Sequence, residues 1–423
     1  MSVRQSCHAI DFGTSNSLLA HVSAEKNIRI LPLEPDGNPM LRSLIYTPSR
    51  DHWYYGQEAV SQYREQGGEG RFFKSVKKFL PEPGYTGTVI HERKFKIEEL
   101  VATILRVMRE RANLQTGEEV TDVVLGRPAL YSLDQELDRL AEERMRRAAC
   151  LAGYRNVRFC PEPLAAGLDF KGENQGQRLV LVCDFGGGTS DFTLLRLHPG
   201  EYAPEDVLGL SGIFLAGDAL DGLIMLESIA PHFGKNVSYR LPMSNNLITF
   251  PRGLLVKLCS PAHITHLKER DTWEFLKEIR TWSVTGQDKR RIDQLFSLVE
   301  RQLGWPLFGE IERVKIALGS NDEVSFEFLA PEIEIKENLR RAEFFHQAAA
   351  TVDRIMDTMM EVFRQSGTDP SQVDEICLTG GTAQSSLLRE RFIQLFGEAK
   401  LKEHKVYQSV VAGLGRFAIR EYP

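Results

Sequence analysis

D-F-G-T-S-N-S, from Asp11 to Ser17, and D-F-G-G-G-T-S-D, from Asp184 to Asp191, are two copies of one phosphate-handling pattern set 173 residues apart. Each has an apolar run entering it (Ala9 and Ile10; Leu179 to Cys183) and another leaving it (Leu18 to Val22; Phe192 to Leu197). Both therefore read as strand, tight turn, strand. Glycine in the turn permits a positive φ and removes the Cβ that would block a phosphate, while Thr and Ser hydroxyls join the exposed backbone N–H groups as donors. The aspartate opening each turn stands at the carboxyl end of a strand, where it can hold Mg²⁺ through waters the ion retains. A single glycine hairpin is commonly only a turn; its repetition in the same context predicts two similar lobes gripping one nucleotide.

A chain of 423 residues, 42% hydrophobic, exceeds what one core organises. The net charge of −6 comes from interspersed signs without a basic stripe, so nucleic acid is not an expected ligand. Cys7, Cys150, Cys160, Cys183, Cys259 and Cys377 show neither a C-x-x-C nor metal-ligand spacing, and read as reduced cytosolic residues. The first strand begins by residue 8, leaving no room for a signal peptide, and no apolar run approaches the ~20 residues that span a bilayer. The expectation is a soluble cytoplasmic protein with no membrane partner.

Between the two motifs lies a polar, turn-rich stretch from Glu34 to Gly70 with Pro35, Gly37, Pro39, Pro48, Gly67 and Gly68, followed by the basic segment Lys74, Lys77, Lys78. It reads as an insertion subdomain. A helix is expected over 97–113 and a strand over 120–125. Ser132 with Gln135 reads as a capping box for a helix whose apolar positions are Leu133, Leu137, Leu140, Ala148 and Leu151, ended by Gly153. After the second motif, residues 221–306 are polar and charged with little strand periodicity, a helical or mixed insertion. A helix over 311–318, a strand over 324–329 and a long helix over 343–365 follow; the Phe and Met stripe of the last reads as core packing.

From Asp11, through Glu162-Pro163 with Ala165 and Ala166, to Asp184–Asp191 and Gly380-Gly381-Thr382, the chain resembles the actin-like ATPases, most closely the nucleotide-binding domain of the DnaK-type heat-shock chaperones. The resemblance spans nearly the whole chain and is patchy over about 35–70 and 222–306. It implies a two-lobe α/β, ribonuclease H-like fold with an insertion in each lobe. Lobe I would cover 1–178 with an insertion at about 35–120, and lobe II 179–400 with one at about 222–306. A C-terminal helix at 401–423 would return to lobe I. It also implies ATP or ADP in the cleft, with Mg²⁺ and, as a further ion the family admits, K⁺.

Carried over residue by residue, the resemblance assigns Gly13, Thr14, Ser15 and Asn16 to the first phosphate hairpin, and Gly186, Gly187, Gly188 and Thr189 to the second. Asp11 and Asp184 would organise Mg²⁺ and its waters. Glu162 matches the carboxylate that positions the attacking water, and Thr189 joins the catalytic set. Lys77 matches the family's catalytic lysine, with Lys74 one helical turn away and Lys78 as competing choices. Gly217, in Ala216-Gly217-Asp218, falls at a glycine turn of lobe II. Glu312 and Lys315 match a pair that reaches the adenosine sugar, and read equally well as an i, i+3 surface ion pair. Gly380, Gly381 and Thr382 would allow close approach of the base. Gln384 departs from the arginine that usually stacks on adenine, which weakens the expected hold on the base. The chain stops at Pro423, where such chaperones continue into a peptide-binding domain; the expectation is a stand-alone nucleotide-binding domain that relies on a co-chaperone or separate client-binding protein.

The function so implied is slow ATP hydrolysis coupled to lobe rotation, chaperone-like or regulatory. An actin-like filament subunit and a small-molecule kinase share the fold. The kinase would need a carboxylate base, for which Asp138 and Glu162 are available. A nucleotide-binding protein with little turnover is the mildest alternative.

Overall fold

The computed structural model describes residues 5–66, 69–128, 130–132, 134–170, 176–198, 204–242, 245–402 and 406–422; Gly67, Gly68 and Leu133 lie outside them. Both hairpins form where the apolar runs put them. Cys7–Phe12 pairs antiparallel with Asn16–Val22, and Arg178–Phe185 with Ser190–Leu197.

Each hairpin lies inside a larger sheet. In the first the order is Asn156–Pro161, Asp122–Arg127, Cys7–Phe12, Asn16–Val22, Ile28–Ile30, with Leu41–Arg42 also on Asn16–Val22. In the second it is Val207–Ile213, Ser190–Leu197, Arg178–Phe185, Glu375–Thr379, Leu401–Lys402. The strand entering each motif is parallel to its other neighbour, Asp122–Arg127 or Glu375–Thr379. Such strands are covered on both faces and so carry continuous apolar runs.

Two helices, Glu162–Phe170 and Val406–Glu421, join the sheets. Their Ala165, Val411 and Leu414 share one core with Ala9 and Leu18 of the first sheet and Val180, Leu195 and Cys377 of the second. A Cβ on Gly413 would stand 1.7 Å from the Ala165 carbonyl oxygen, so this glycine sets the spacing of the two helices. Of the cysteines, Cys7, Cys160, Cys183 and Cys377 are buried, whereas Cys150 is exposed. No helix among the described residues is long and apolar enough to cross a membrane.

Several local expectations shift. The third long helix is Gln135–Leu151, and its cap is Asp134, which accepts from the N–H groups of Glu136 and Leu137; Ser132 Oγ instead accepts from Asp134 N. Its buried face is Ala141, Arg144, Met145, Ala148 and Ala149, and Leu151 is exposed. Small side chains, not the leucines, allow this helix to approach Ile97–Thr116. The expected helix at 311–318 begins earlier, as Gly304–Ala317. The stretch before Gly70 contains more structure than its turn residues suggest. Leu44–Ser49 pairs with His52–Tyr55 and with Arg71–Lys74, and the helix Gly56–Glu65 packs on them around Tyr46 and Tyr63. The lobe II insertion is largely helical, with Arg252–Leu258, Arg270–Trp282 and Gly286–Glu300.

Candidate functional site

A cavity of about 400 Å³ lies between the hairpin turns. Asp11, Gly13, Thr14, Ser15 and Asn16 line it from one side, and Asp184, Gly186, Gly187 and Thr189 from the other. Lys77, Glu162, Gly217, Glu312, Lys315, Gly380, Gly381, Thr382 and Gln384 also border it. Gly188 does not border it. A Cβ there would sit 1.9 Å from Lys78 Cε, so the lysine covers that glycine.

The turn glycines do not adopt the positive φ expected of them; Gly13, Gly186, Gly187 and Gly188 all lie outside that region. What they provide is space. A Cβ on Gly13 would meet the Asn16 carbonyl oxygen of its own turn at 2.2 Å, and one on Gly187 would meet Ser15 Oγ of the opposite hairpin at 2.4 Å. Gly380 is the glycine that does need a left-handed backbone, at φ 86°, and its Cβ would lie 2.1 Å from the Phe185 carbonyl oxygen. The turn after it is clasped to the second hairpin, with Thr382 Oγ1 donating to Gly186 O at 2.8 Å. Ser43 braces the first hairpin, its hydroxyl donating to Gly13 O at 2.8 Å and its N–H to Ser15 O at 2.8 Å.

The three lysines have three different surroundings. Lys77 Nζ is 3.1 Å from Glu162 Oε1, both side chains are about nine-tenths buried, and the ammonium stands 5.9 Å from the Tyr131 ring centre. Lys74 Nζ lies over Trp305, at 5.2 Å, and Lys78 pairs with Asp218 of lobe II. The segment is anchored from behind by buried Arg144, whose Nη1 donates to the carbonyls of Phe79, Leu80 and Glu82 at 3.2, 2.9 and 2.9 Å. That helix thus does more than fill the core. Lys315 also differs from expectation: its ion-pair partner is Asp221, at 2.6 Å, not Glu312.

Electrostatically the centre is an excess of buried carboxylates. Burial and the nearby Glu162 raise Asp11 well above the ordinary carboxyl range, against the pull of Lys77. Burial and Glu162 push Asp184 up to about 6, even though Thr379 Oγ1 donates to it at 2.7 Å. Asp191 reaches about 8 through burial, then repulsion from Asp184 and Glu162. Burial alone would lower Lys77, yet Glu162, Tyr131 and Asp11 together hold its ammonium above the usual value. Four carboxyl groups crowded around one lysine are the chemistry a divalent cation would relieve. Among the described residues no three or more His, Cys, Asp or Glu could cage a metal by themselves. Mg²⁺ suits such a place, because it keeps several waters and needs only one or two protein carboxylates beside phosphate oxygens.

Some lining residues carried no decisive sequence signal. Tyr131 follows a strand in an irregular loop, and Phe344 and Phe345 belong to the helix Arg341–Ser366, whose stripe reads as core although both rings border the cavity. Asp191 does not line the cavity but adds to its buried charge, and could have been found as the acidic end of D-F-G-G-G-T-S-D. Asp138, the alternative kinase base, does not line the cavity; it accepts two hydrogen bonds from Arg127 Nη2 and one from Tyr131 N, which occupy its carboxylate.

Comparison with known proteins places the chain in a family. The Hsp70 protein family model matches residues 73–246 and 298–415, leaving out the first hairpin and most of the lobe II insertion. A chaperone protein DnaK of Thermus thermophilus is 25% identical over 422 aligned residues, covering 92% of this chain and 56% of the relative. A homolog of chaperone protein HscA from a Shewanella species is 26% identical over 413, covering 93% and 54%, and a DnaK of Deinococcus proteolyticus 23% over 413, covering 92% and 55%. The chain spans about half the length of the curated relatives it matches.

Proposed function

The chain belongs to the Hsp70 family, with its actin-like ATPase fold, and from that premise we propose that its cleft binds ATP with Mg²⁺, hydrolyses it slowly and converts loss of the γ-phosphate into rotation of one lobe against the other. The observation that carries this reading is the approach of the two hairpins, where Gly187 faces Ser15 closely enough that a methyl would reach its hydroxyl. A triphosphate held there touches both lobes, and its cleavage removes a bridging contact. The role is chaperone-like or regulatory, exercised in the cytoplasm through a co-chaperone or client-binding partner that recognises one nucleotide state.

Within that reading the side chains divide the work. Glu162, at the start of its helix, accepts a hydrogen bond from the attacking water and aims it in line. Lys77, held by Glu162 in the ground state, donates to the γ-phosphoryl oxygens as charge builds on them. The turn N–H groups, with the Thr14, Ser15 and Thr189 hydroxyls, fix the phosphate chain. Asp11 and Asp184 would hold Mg²⁺, which when bound neutralises phosphate charge. Steady-state phosphate release tests this. Asp184→Asn and Asp11→Asn are each expected to lower Mg²⁺-dependent turnover at least about tenfold, and unchanged turnover would overturn the assignment. Lys77→Ala is expected to lower kcat with little change in ATP affinity; that pattern in Lys74→Ala instead would move the role to Lys74.

A further inference from the structure

Tyr131 borders the cavity beside Lys77, and none of the roles above uses it. The residue is buried and its hydroxyl makes no hydrogen bond. Its ring, in contrast, is committed twice. Lys77 Nζ stands 5.9 Å from the ring centre, and the Arg127 guanidinium carbon 5.4 Å. Two cations on one ring repel each other unless one is neutralised, and Arg127 is. Its Nη2 donates to both oxygens of Asp138, at 2.9 and 2.7 Å, and its Nη1 to Glu142 at 2.6 Å. Asp138 also accepts from the Tyr131 N–H at 2.7 Å, so one carboxylate fixes both the guanidinium and the backbone that carries the ring.

The helix bearing Asp138, Gln135–Leu151, reaches the lysine by a second route, through Arg144 and the carbonyls of Phe79, Leu80 and Glu82. Lys77 sits on a short turn, Val76–Phe79, entered through Ser75 at φ 60°, a left-handed conformation that is costly for serine. Such a turn persists only where its surroundings over-determine it. Arg144 and the Tyr131 ring supply that support from within lobe I. The ammonium has three donors, one of which meets Glu162. A ring attracts an ammonium through its quadrupole. An acid in the same place would instead compete with phosphate for the remaining N–H groups.

We infer that Tyr131 is a positioning residue for the hydrolytic step. Its ring, held by Asp138 and Arg127, supports the Lys77 ammonium on a face that competes weakly for its donors. The lysine can then turn from Glu162 toward the γ-phosphoryl oxygens as charge builds on them. The aromatic face carries this role and the hydroxyl does not. The inference rests on the nucleotide reading above and on Lys77 as the lysine that meets the phosphoryl group.

Turnover and calorimetric ATP affinity, measured on the full chain with Mg²⁺, test it. Tyr131→Leu should lower kcat about tenfold while the dissociation constant for ATP stays within about twofold of the wild type's. Tyr131→Phe, which keeps the face and drops the unpartnered hydroxyl, should recover kcat to within about threefold of the wild type. Asp138→Ala, which frees the ring and the guanidinium together, should lower kcat about three- to fivefold with the same split. It probes the same device from outside the core should the leucine variant fold poorly. Wild-type kcat in Tyr131→Leu or in Asp138→Ala overturns the inference. So does a Tyr131→Phe variant as slow as Tyr131→Leu, which gives the role to the hydroxyl, or a loss of ATP affinity equal to the loss of kcat. All three results leave the nucleotide reading standing. A wild-type chain that neither binds ATP nor releases phosphate overturns that reading and this inference with it.

Discussion

The two hairpins match position for position at a constant offset, yet they solve different problems. Asp11 pairs with Leu18 in the first, whereas Asp184 pairs with Asp191 in the second. One strand step after another, His8 faces His21 where the second hairpin sets Leu181 against Leu194. In the first hairpin the glycine is required by its own turn, through Gly13 and the Asn16 carbonyl; in the second, Gly187 and Gly188 yield space to Ser15 and Lys78 from the other lobe. A shared motif therefore shares a backbone path, while charge and contact are set by the neighbours each copy acquires.

The charge difference is the easiest to break. Asp191 and Asp184 titrate in the folded protein at about 8 and about 6, above their ordinary value of 3.8. Groups raised in this way favour the fold fully below about pH 4 and lose that contribution as pH rises through 6 to 8. Without nucleotide or metal, the second hairpin should cost the protein on the order of a few kcal/mol of stability across that window. Asp191→Asn should flatten the decline in a denaturant series run at pH 4 to 8, and an unaltered slope would show that the pair is not the source.

The glycine difference predicts a smaller effect. Gly13→Ala drives a Cβ into a backbone oxygen and should destabilise the protein by roughly 1–3 kcal/mol. Gly186→Ala, at the equivalent position, has its nearest contact at 3.5 Å and should stay within about 0.5 kcal/mol. Equal midpoints in urea would remove the distinction.

The histidine pair acts in the opposite direction on pH. His8, fully buried with its Nδ1 2.9 Å from Tyr154 Oη, is lowered to about 3, by burial first and then by His21 and Arg109. Its contribution is fully present above about pH 6.5 and is lost as pH falls toward 3. His8→Leu, which makes the first hairpin resemble the second, should cost about 1 kcal/mol at pH 7 by stranding the tyrosine hydroxyl, and should make the acid limb shallower. An acid limb as steep as the wild type's would place the sensitivity elsewhere.

What could be read from the chain alone followed from short-range rules. Apolar runs on both sides of a glycine turn specify a hairpin, and its duplication specified the pair of sheets and the cleft between them. Long helices such as Ile97–Thr116 and Arg341–Ser366 were legible because a dozen or more residues repeat one period. The small sheet around Tyr46 was not, because its strands are short and its turn residues dominate the composition.

Which lysine meets Glu162, which acid neutralises Lys315 and whether a turn glycine serves its own loop or the opposite lobe were decided only in three dimensions. Lys74, Lys77 and Lys78 share one stretch of sequence but end on Trp305, Glu162 and Asp218, partners drawn from three separate parts of the chain. The reason is physical. Strand and turn geometry depends on residues a few positions apart, whereas burial and ion pairing depend on distances across the cleft, which are set when the sheets dock on their shared helices.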